Sequence, residues 1–394
     1  MSFYLNDCGI VCALGAGKTP VREALLAARS GVQPSGAYTP GREVPLGCAP
    51  GGDLPSVAHL PLRQRSRNNQ LALAALAQIR PAVDAAIARH GKGRVGVVLG
   101  TSTSGIAETE RALHALAHRG ALPPEFHYGQ QEMGSPAEVL AAELDVGGPA
   151  YVHSSACSSG AKAMASAARL IAMGLCDAVV TGGVDSLCGF TVAGFSALES
   201  VSTERCNPLS ANRNGINIGE GAALFLMSRE PAVVALTGWG ESSDGHHISA
   251  PDPAGAGAEL AIGQALRRAG LAPADIDYIN LHGTATRQND AMESKVVAAM
   301  FGTGTPVSST KPFTGHALGA AAAIEAALCW LLMQDDNPHG MLPPHLWDGC
   351  ADAELPPLAV AAPGAQLGRP LRHVLSNSFA FGGSNAALVF GRTV

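Results

Sequence analysis

Cys157 lies in the run Val152-His153-Ser154-Ser155-Ala156-Cys157-Ser158-Ser159-Gly160, which leads straight into an alanine-rich segment, Ala161 to Ile171. A strand-like run, a cluster of small residues and a helical run, in that order, predict a strand-to-helix junction with a sharp turn. The helix is expected to end near Gly174. Cys157 then stands at a helix amino terminus, where unpaired N–H groups and the helix dipole favour a thiolate. The helix is apolar nearly all round, so it is expected to be buried. A sulfur in that place suits covalent catalysis. A small buried cysteine without chemistry is the other reading of this stretch taken alone.

Three further clusters carry polar residues of the right types. His282-Gly283-Thr284-Ala285-Thr286 ends a strand, with Asp290 eight residues after the histidine. Ser308-Ser309-Thr310-Lys311-Pro312-Phe313-Thr314-Gly315-His316-Ala317-Leu318-Gly319 leads into a long apolar helix. Ser376-Asn377-Ser378-Phe379-Ala380-Phe381-Gly382-Gly383-Ser384-Asn385 reads as a glycine-rich turn between two closing strands. Each cluster falls at the carboxyl end of an expected strand, where open parallel sheets bind ligands.

The elements that must position these clusters follow from periodicity. A strand spans Phe3 to Leu14, then comes a turn at Gly15 and Gly17, and a helix buries Val21, Ala24, Leu25 and Ala28. Residues 33–60 are rich in Gly and Pro and read as an irregular surface excursion. Leu62-Arg63-Gln64-Arg65-Ser66-Arg67 opens a helix from Asn68 to Ile79. Its three arginines form a positive patch, either a solvated helix start or a dock for an acidic partner. Gly96 to Gly100 and Asp177 to Asp185 read as buried parallel strands, with a helix through His118 after the first. Strand, helix and strand in this order predict a βαβ unit.

Near Arg229-Glu230-Pro231 the pattern restarts. A strand from Val233 to Leu236, a helix near Glu259 to Arg268, a strand from Tyr278 to Leu281 and a helix near Asp290 to Met300 follow. The helix Ala317 to Met333 takes the place of the one after Cys157, and strands Val374 to Ser376 and Ala386 to Phe390 close the chain. The expectation is an α/β protein duplicated into halves, residues 1–230 with the cysteine and residues 231–394 with the histidines.

Composition narrows the function classes. The 394 residues are 47% hydrophobic and only 15% charged, as in a compact globular enzyme. A formal charge of −6 gives no support for nucleic-acid binding. Nine cysteines without a C-x-x-C pair read as neither a disulfide framework nor a zinc site, and point to a reducing compartment. The amino terminus lacks a basic region, and Asp7 interrupts its apolar run, which argues against a signal peptide. Ala317 to Met333 is short for a membrane span and carries Glu325 at its middle, so a buried core helix and a cytoplasmic location are expected.

Taken together, A-C-S-S-G, H-G-T-x-T, K-x-x-x-G-H-x-x-G and the closing F-A-F-G-G-S-N, in this order, resemble the elongating β-ketoacyl-acyl carrier protein synthases of the Cys-His-His kind. The resemblance runs from Gly9-Ile10-Val11 to Ser384-Asn385 and implies a thiolase-like fold in a layered αβαβα arrangement. It implies that Cys157 accepts an acyl group and that His282 and His316 stabilise the enolate left by decarboxylation of a malonyl thioester. The N–H groups of Cys157 and Phe381 would form the second oxyanion hole. Lys311 and Glu325 match positions that hold the histidines and nearby charges in place, and Asp290 a structural hydrogen bond. Thr284 and Thr286 match residues that bind the pantetheine arm, with Phe379 a further substrate contact.

The resemblance also implies docking of an acidic acyl carrier protein beside Arg63, Arg65 and Arg67. It implies no organic cofactor and no catalytic metal, with a monovalent cation near Asn280, Glu325 and Ser376 in some relatives. A homodimer and a mixed dimer with a related subunit both remain open, and no membrane partner is expected. His246 and His247 receive no role. Two departures stand out. Asn212-Arg213-Asn214-Gly215-Ile216 replaces the usual Arg-Asp-Gly-Phe, and Ala380 replaces a glycine between the gate phenylalanines. The run Asn214 to Glu220 is similar to ketosynthases of specialised pathways such as those making aryl polyenes. The rivals are a chain-length partner subunit, which typically lacks the cysteine, and a biosynthetic thiolase, which needs a second cysteine where this chain has none after Cys350. An initiating synthase with Cys-His-Asn is disfavoured by His316.

Overall fold

The computed structural model describes residues 2–39, 41–52 and 54–393. The first half holds β1 (Phe3–Cys12), β2 (Gly15–Ala16), α1 (Lys18–Leu26), β3 (Gln33–Ser35), β4 (Val44–Leu46) and α2 (Arg67–His90). It continues with β5 (Val95–Gly100), α3 (Ile106–Arg119), α4 (Ser135–Leu144), β6 (Ala150–His153) and α5 (Ser159–Ala172). β7 (Ala178–Asp185), α6 (Gly189–Ala197) and β8 (Gly221–Ser228) complete it. The second half runs β9 (Val234–Ser243), α7 (Ala256–Ala269), β10 (Tyr278–Asn280), α8 (Arg287–Phe301) and β11 (Pro306–Ser308). It ends with α9 (Lys311–Thr314), α10 (Ala321–Leu332), β12 (Ala359–Val360), β13 (His373–Ala380) and β14 (Ser384–Arg392).

The strand order β12-β11-β10-β13-β14-β9-β1-β8-β7-β5-β6 reads the same outward from its middle. β1, β8, β7, β5 and β6 answer to β9, β14, β13, β10 and β11. In each set the inner pairs are antiparallel and the outer ones parallel. The sheet is therefore mixed, where the βαβ reading expected a parallel one. Within the sheet the two strand sets join where β1 pairs with β9, Phe3 opposite Leu236 and Tyr4 opposite Ala235.

Three apolar clusters set the layers. One gathers α5 and α10 between strands of both halves, including Phe225 and Phe390. A second packs α2 and α4 on the outer face of the first set of strands, and a third packs α7 and α8 on the outer face of the second. The result is five layers, αβαβα. Small residues let the two central helices approach. A methyl group on Gly160 would lie 3.0 Å from Ala323 N and 3.2 Å from Gly319 O.

The elements differ from expectation at several places, and α4, α6, β11 and β12 are additions to the sequence reading. Residues 33–60 contain a short hairpin, with Pro34 opposite Pro45. α2 continues through Pro81 to His90, because its face of Leu71, Leu76, Ile79 and Val83 stays buried across the proline. It is long and apolar enough by composition to span a bilayer, yet that face is spent on the core. β8 has no counterpart in the periodicity reading, since its residues are all buried and do not alternate. The closing turn is only Phe381–Gly383, and Ser376 to Ala380 belong to β13.

Candidate active site

Cys157 sits between β6 and α5. Ala156 takes a left-handed φ of 51°, which costs a non-glycine residue roughly 1 kcal/mol and turns the chain back on itself. α5 starts two residues later, so the sulfur stands at its amino terminus. Burial pushes the Cys157 thiol up to about 12, while the charge of Lys311 and a hydrogen bond from the Phe381 N–H act the other way. The resting group is therefore a thiol, not the thiolate that the helix terminus alone predicts. Its proton has a taker, because His316 Nε2 lies 3.0 Å from Cys157 Sγ.

His316 arrives from the second half. It follows α9, and its backbone is clipped to the first half, with its N–H bonded to Asn217 O and its carbonyl accepting from Gly219 N–H. His282 follows β10 and meets His316 edge to face at a ring separation of 5.4 Å. Ligating atoms of Cys157, His282 and His316 all lie within 4.8 Å of one another. Burial and the Lys311 charge hold both imidazoles well below their usual range, so both stay neutral. Lys311 Nζ is 3.4 Å from His282 Nδ1. An ammonium only donates, so this contact assigns the His282 proton to Nε2. That charge at the rim also favours a developing anion over a metal cation among the three side chains.

Lys311 and Glu325 form a fully buried ion pair at 2.5 Å, each 2% exposed. Burial pushes the Glu325 carboxyl up and Lys311 pulls it back. Glu325 Oε2 and Asn280 Oδ1 are buried without a hydrogen-bond partner, and Asn280 stands beside Ser376 in register.

The cavity around Cys157 measures about 40 Å³ and is lined by Phe195, Ile216, His282, His316 and Phe381, among others. Thr284 and Thr286 join it with their hydroxyls 2.9 Å apart. Phe379 packs edge-on to His282 at 6.1 Å, and Phe381 against Phe195 at 5.3 Å. Ala380 has extended backbone angles, so its methyl group meets no conflict in this closed arrangement. Ile216 fills the position where the usual pattern has phenylalanine.

Asp290 is buried and accepts from the N–H groups of Leu209 and Ala285, the latter held at a left-handed φ of 63°. Periodicity missed Glu293, whose carboxylate receives the N–H groups of His282 at 2.8 Å and Gly283 at 2.7 Å. Burial pushes Glu293 up to about 7. Its presence one turn beyond Asp290, on the apolar side of α8, was the available clue. Asp185 was missed as well; it ties Thr101 and the Ser102 and Thr103 N–H groups to Gly319 N–H, joining the starts of both halves' loops.

The arginine patch divides. Arg63 and Arg65 are exposed. Arg67 instead turns inward to Glu220, which is 2% exposed, and the bidentate pair also collects the Leu187 and Ala49 N–H groups around that carboxylate. Its expected part in docking is corrected: a buried carboxylate claims the guanidinium.

Residues 56–232 match the N-terminal domain, and residues 233–346 the C-terminal domain, of the beta-ketoacyl synthase family. The 3-oxoacyl-[acyl-carrier-protein] synthase 2 of Coxiella burnetii (strain RSA 493 / Nine Mile phase I) is 30% identical over 411 residues, 98% of this chain and 98% of the relative. The protein of the same name from Rhizobium meliloti (strain 1021) is 35% identical over 318 residues, 75% of this chain and 74% of its own. Among solved structures, the ketosynthase ApeO in complex with its chain length factor ApeC, from Xenorhabdus doucetiae, superposes with a TM-score of 0.94 at 44% identity. That match covers 100% of this chain and 98% of the other. With both domain descriptions matched and the layers and Cys-His-His cluster in place, the chain belongs to the beta-ketoacyl synthase family.

Proposed function

We propose that the chain is a 3-oxoacyl-[acyl carrier protein] synthase that joins an enzyme-bound acyl group to a malonyl-carrier thioester. The observation that carries this reading is the Cys157 thiol facing His316 Nε2 at 3.0 Å, with neutral His282 beside it. The sulfur attacks the acyl thioester carbonyl as its proton passes to His316. The N–H groups of Cys157 and Phe381 receive the oxyanion, and the departing carrier thiolate takes the proton from His316, which returns to neutral. The malonyl thioester then loses carbon dioxide, and its enolate oxygen accepts hydrogen bonds from His282 and His316. The enolate carbon attacks the acyl carbonyl, the Cys157 sulfur leaves as a thiolate that takes up a proton from solvent, and a 3-oxoacyl-carrier thioester is released.

Thr284 and Thr286 offer hydroxyls to the pantetheine arm at the cavity mouth, and Phe379 and Phe381 flank the reacting carbon. Arg63 and Arg65 offer charge to an acidic carrier protein. Asn280, Glu325 and Ser376 would hold a monovalent cation that steadies the buried Lys311–Glu325 pair. No organic cofactor is required by this chemistry. ApeO is paired with ApeC, and the 44% identity to ApeO favours a comparable assembly with a related subunit, in a specialised polyene-type pathway. A cytoplasmic location accords with a carrier-borne substrate.

A chain-length subunit without turnover is the competing reading, and the complete Cys157, His282 and His316 cluster disfavours it. Incubation with acyl-carrier and malonyl-carrier thioesters, followed by mass analysis of the carrier, decides between them. The proposal expects 3-oxoacyl-carrier from the chain with its partner; only unreacted thioesters would overturn it.

A further inference from the structure

The turn Phe381–Gly383 closes over Cys157, with its first N–H on the sulfur. Gly382 and Gly383 have left-handed φ angles of 78° and 71°, giving this turn a freedom that β13 and β14 lack. One side of it is tied by backbone, Gly382 N–H to Ile248 O and Asp244 N–H to Gly383 O. The other side is tied through side chains to α5. Lys162 Nζ donates to Ser384 Oγ at 2.5 Å, Ser384 Oγ lies 3.0 Å from Ser158 Oγ, and Ser158 Oγ donates to Ser155 O at 2.8 Å.

The directions of this chain follow from its two ends. An ammonium has donors only, and Ser158 spends its proton on Ser155 O, so Ser384 accepts from Lys162 and donates to Ser158. Ser158 is fully buried and directly follows Cys157. Lys162 is half-buried and, among the described residues, forms no ion pair; burial draws its pKa down, with Glu241 raising it and Arg169 lowering it further. A charged donor at the head of a run of hydroxyls strengthens each bond after it.

We propose that Lys162 is a positioning residue that latches the Phe381–Gly383 turn shut over Cys157, and that release of Ser384 from Lys162 opens the cavity to an acyl chain. The cavity of about 40 Å³ has no room for such a chain while the latch holds. The latch rests on Cys157 being the acyl acceptor, but its test does not require turnover.

The test is the rate at which iodoacetamide alkylates Cys157 in the full-length chain, followed by peptide mass, with exposed Cys48 and Cys350 as references in the same sample. Lys162→Met and Ser384→Ala each raise the Cys157 rate about tenfold relative to the references, the effect of losing one charge-assisted hydrogen bond. The double variant is no faster than either single one, since both break one unit. Lys162→Arg restores slow alkylation, and acyl loading in Lys162→Met changes in its maximal rate rather than in KM. A Cys157 rate within twofold of wild type in both single variants overturns the latch, as does equal acceleration at all three cysteines. Failure of the wild-type chain to take an acyl group would overturn the functional reading instead, leaving the alkylation ratio to decide the latch.

Discussion

Helix α5 begins two residues after Cys157, and α10 begins five residues after His316. Both starts follow a left-handed non-glycine residue, Ala156 at 51° and Leu318 at 45°. Both helices lie in the same central layer, and each follows a strand set of the same order. Their surroundings differ. The α5 start is ringed by serine hydroxyls and backbone N–H groups, whereas Glu325 of α10 forms a buried ion pair with Lys311 of α9. The repeat supplies two equivalent junctions facing one cavity, and the chemistry is divided between them. One junction holds the nucleophile; the other holds His316 and the Lys311 charge that keeps the imidazoles neutral, with His282 added from the loop after β10.

Substitutions that erase the difference test it, starting with the buried charge. Lys311→Met leaves Glu325 buried and unpaired, at a cost of about 3–5 kcal/mol in unfolding free energy. It also removes a positive charge that holds His282 and His316 low. Wild-type activity persists below pH 6.5, the ordinary imidazole value, because protonation of these rings inactivates only at lower pH. In Lys311→Met that acid limb moves upward. A limb that stays in place would show that Lys311 does not set the imidazole state.

His316→Ala removes one oxyanion donor, and the condensation rate falls about 10²–10³-fold. Steady-state product formation measures it, and an unchanged rate would remove His316 from the condensation and leave His282 as its imidazole donor. Glu293→Gln acts one step further out. A glutamine cannot accept both N–H groups as the carboxylate does, so one bond is weakened, for about 1–3 kcal/mol. The Glu293 pKa is raised from 4.5 to about 7, so its contribution to stability is whole below 4.5 and lost as pH rises through 7. The thermal midpoint of the wild type minus that of Glu293→Gln should fall across this window; a flat difference would contradict the burial argument. Ala380→Gly has the smallest effect, within about 1 kcal/mol, because Ala380 already has extended backbone angles.

The same contrast explains what could be read from the sequence. Cys157, His282, Lys311 and His316 lie in short runs whose small residues mark sharp junctions, so local pattern is enough to find them. Glu293, Asp185 and Glu220 lie inside or at the ends of regular elements; Glu293 acts on the loop before its own helix, and the other two on loops far along the chain. A carboxylate on an otherwise apolar face marks such a residue, but only the fold says which N–H groups it meets. Arg67 was misplaced for this reason, since Glu220 lies 153 residues away. β8 escaped because a strand buried on both faces has no alternation, and β13 was cut short because Ser376, Asn377 and Ser378 are polar and turn-like in type yet paired with β14.

Peptide mapping after exposure to an acyl-carrier thioester alone tests the central claim most directly. The account predicts one acyl group per chain, on the peptide containing Cys157, absent in Cys157→Ala and discharged when malonyl-carrier is added. An acyl group on another residue, or one that persists in Cys157→Ala, would contradict it.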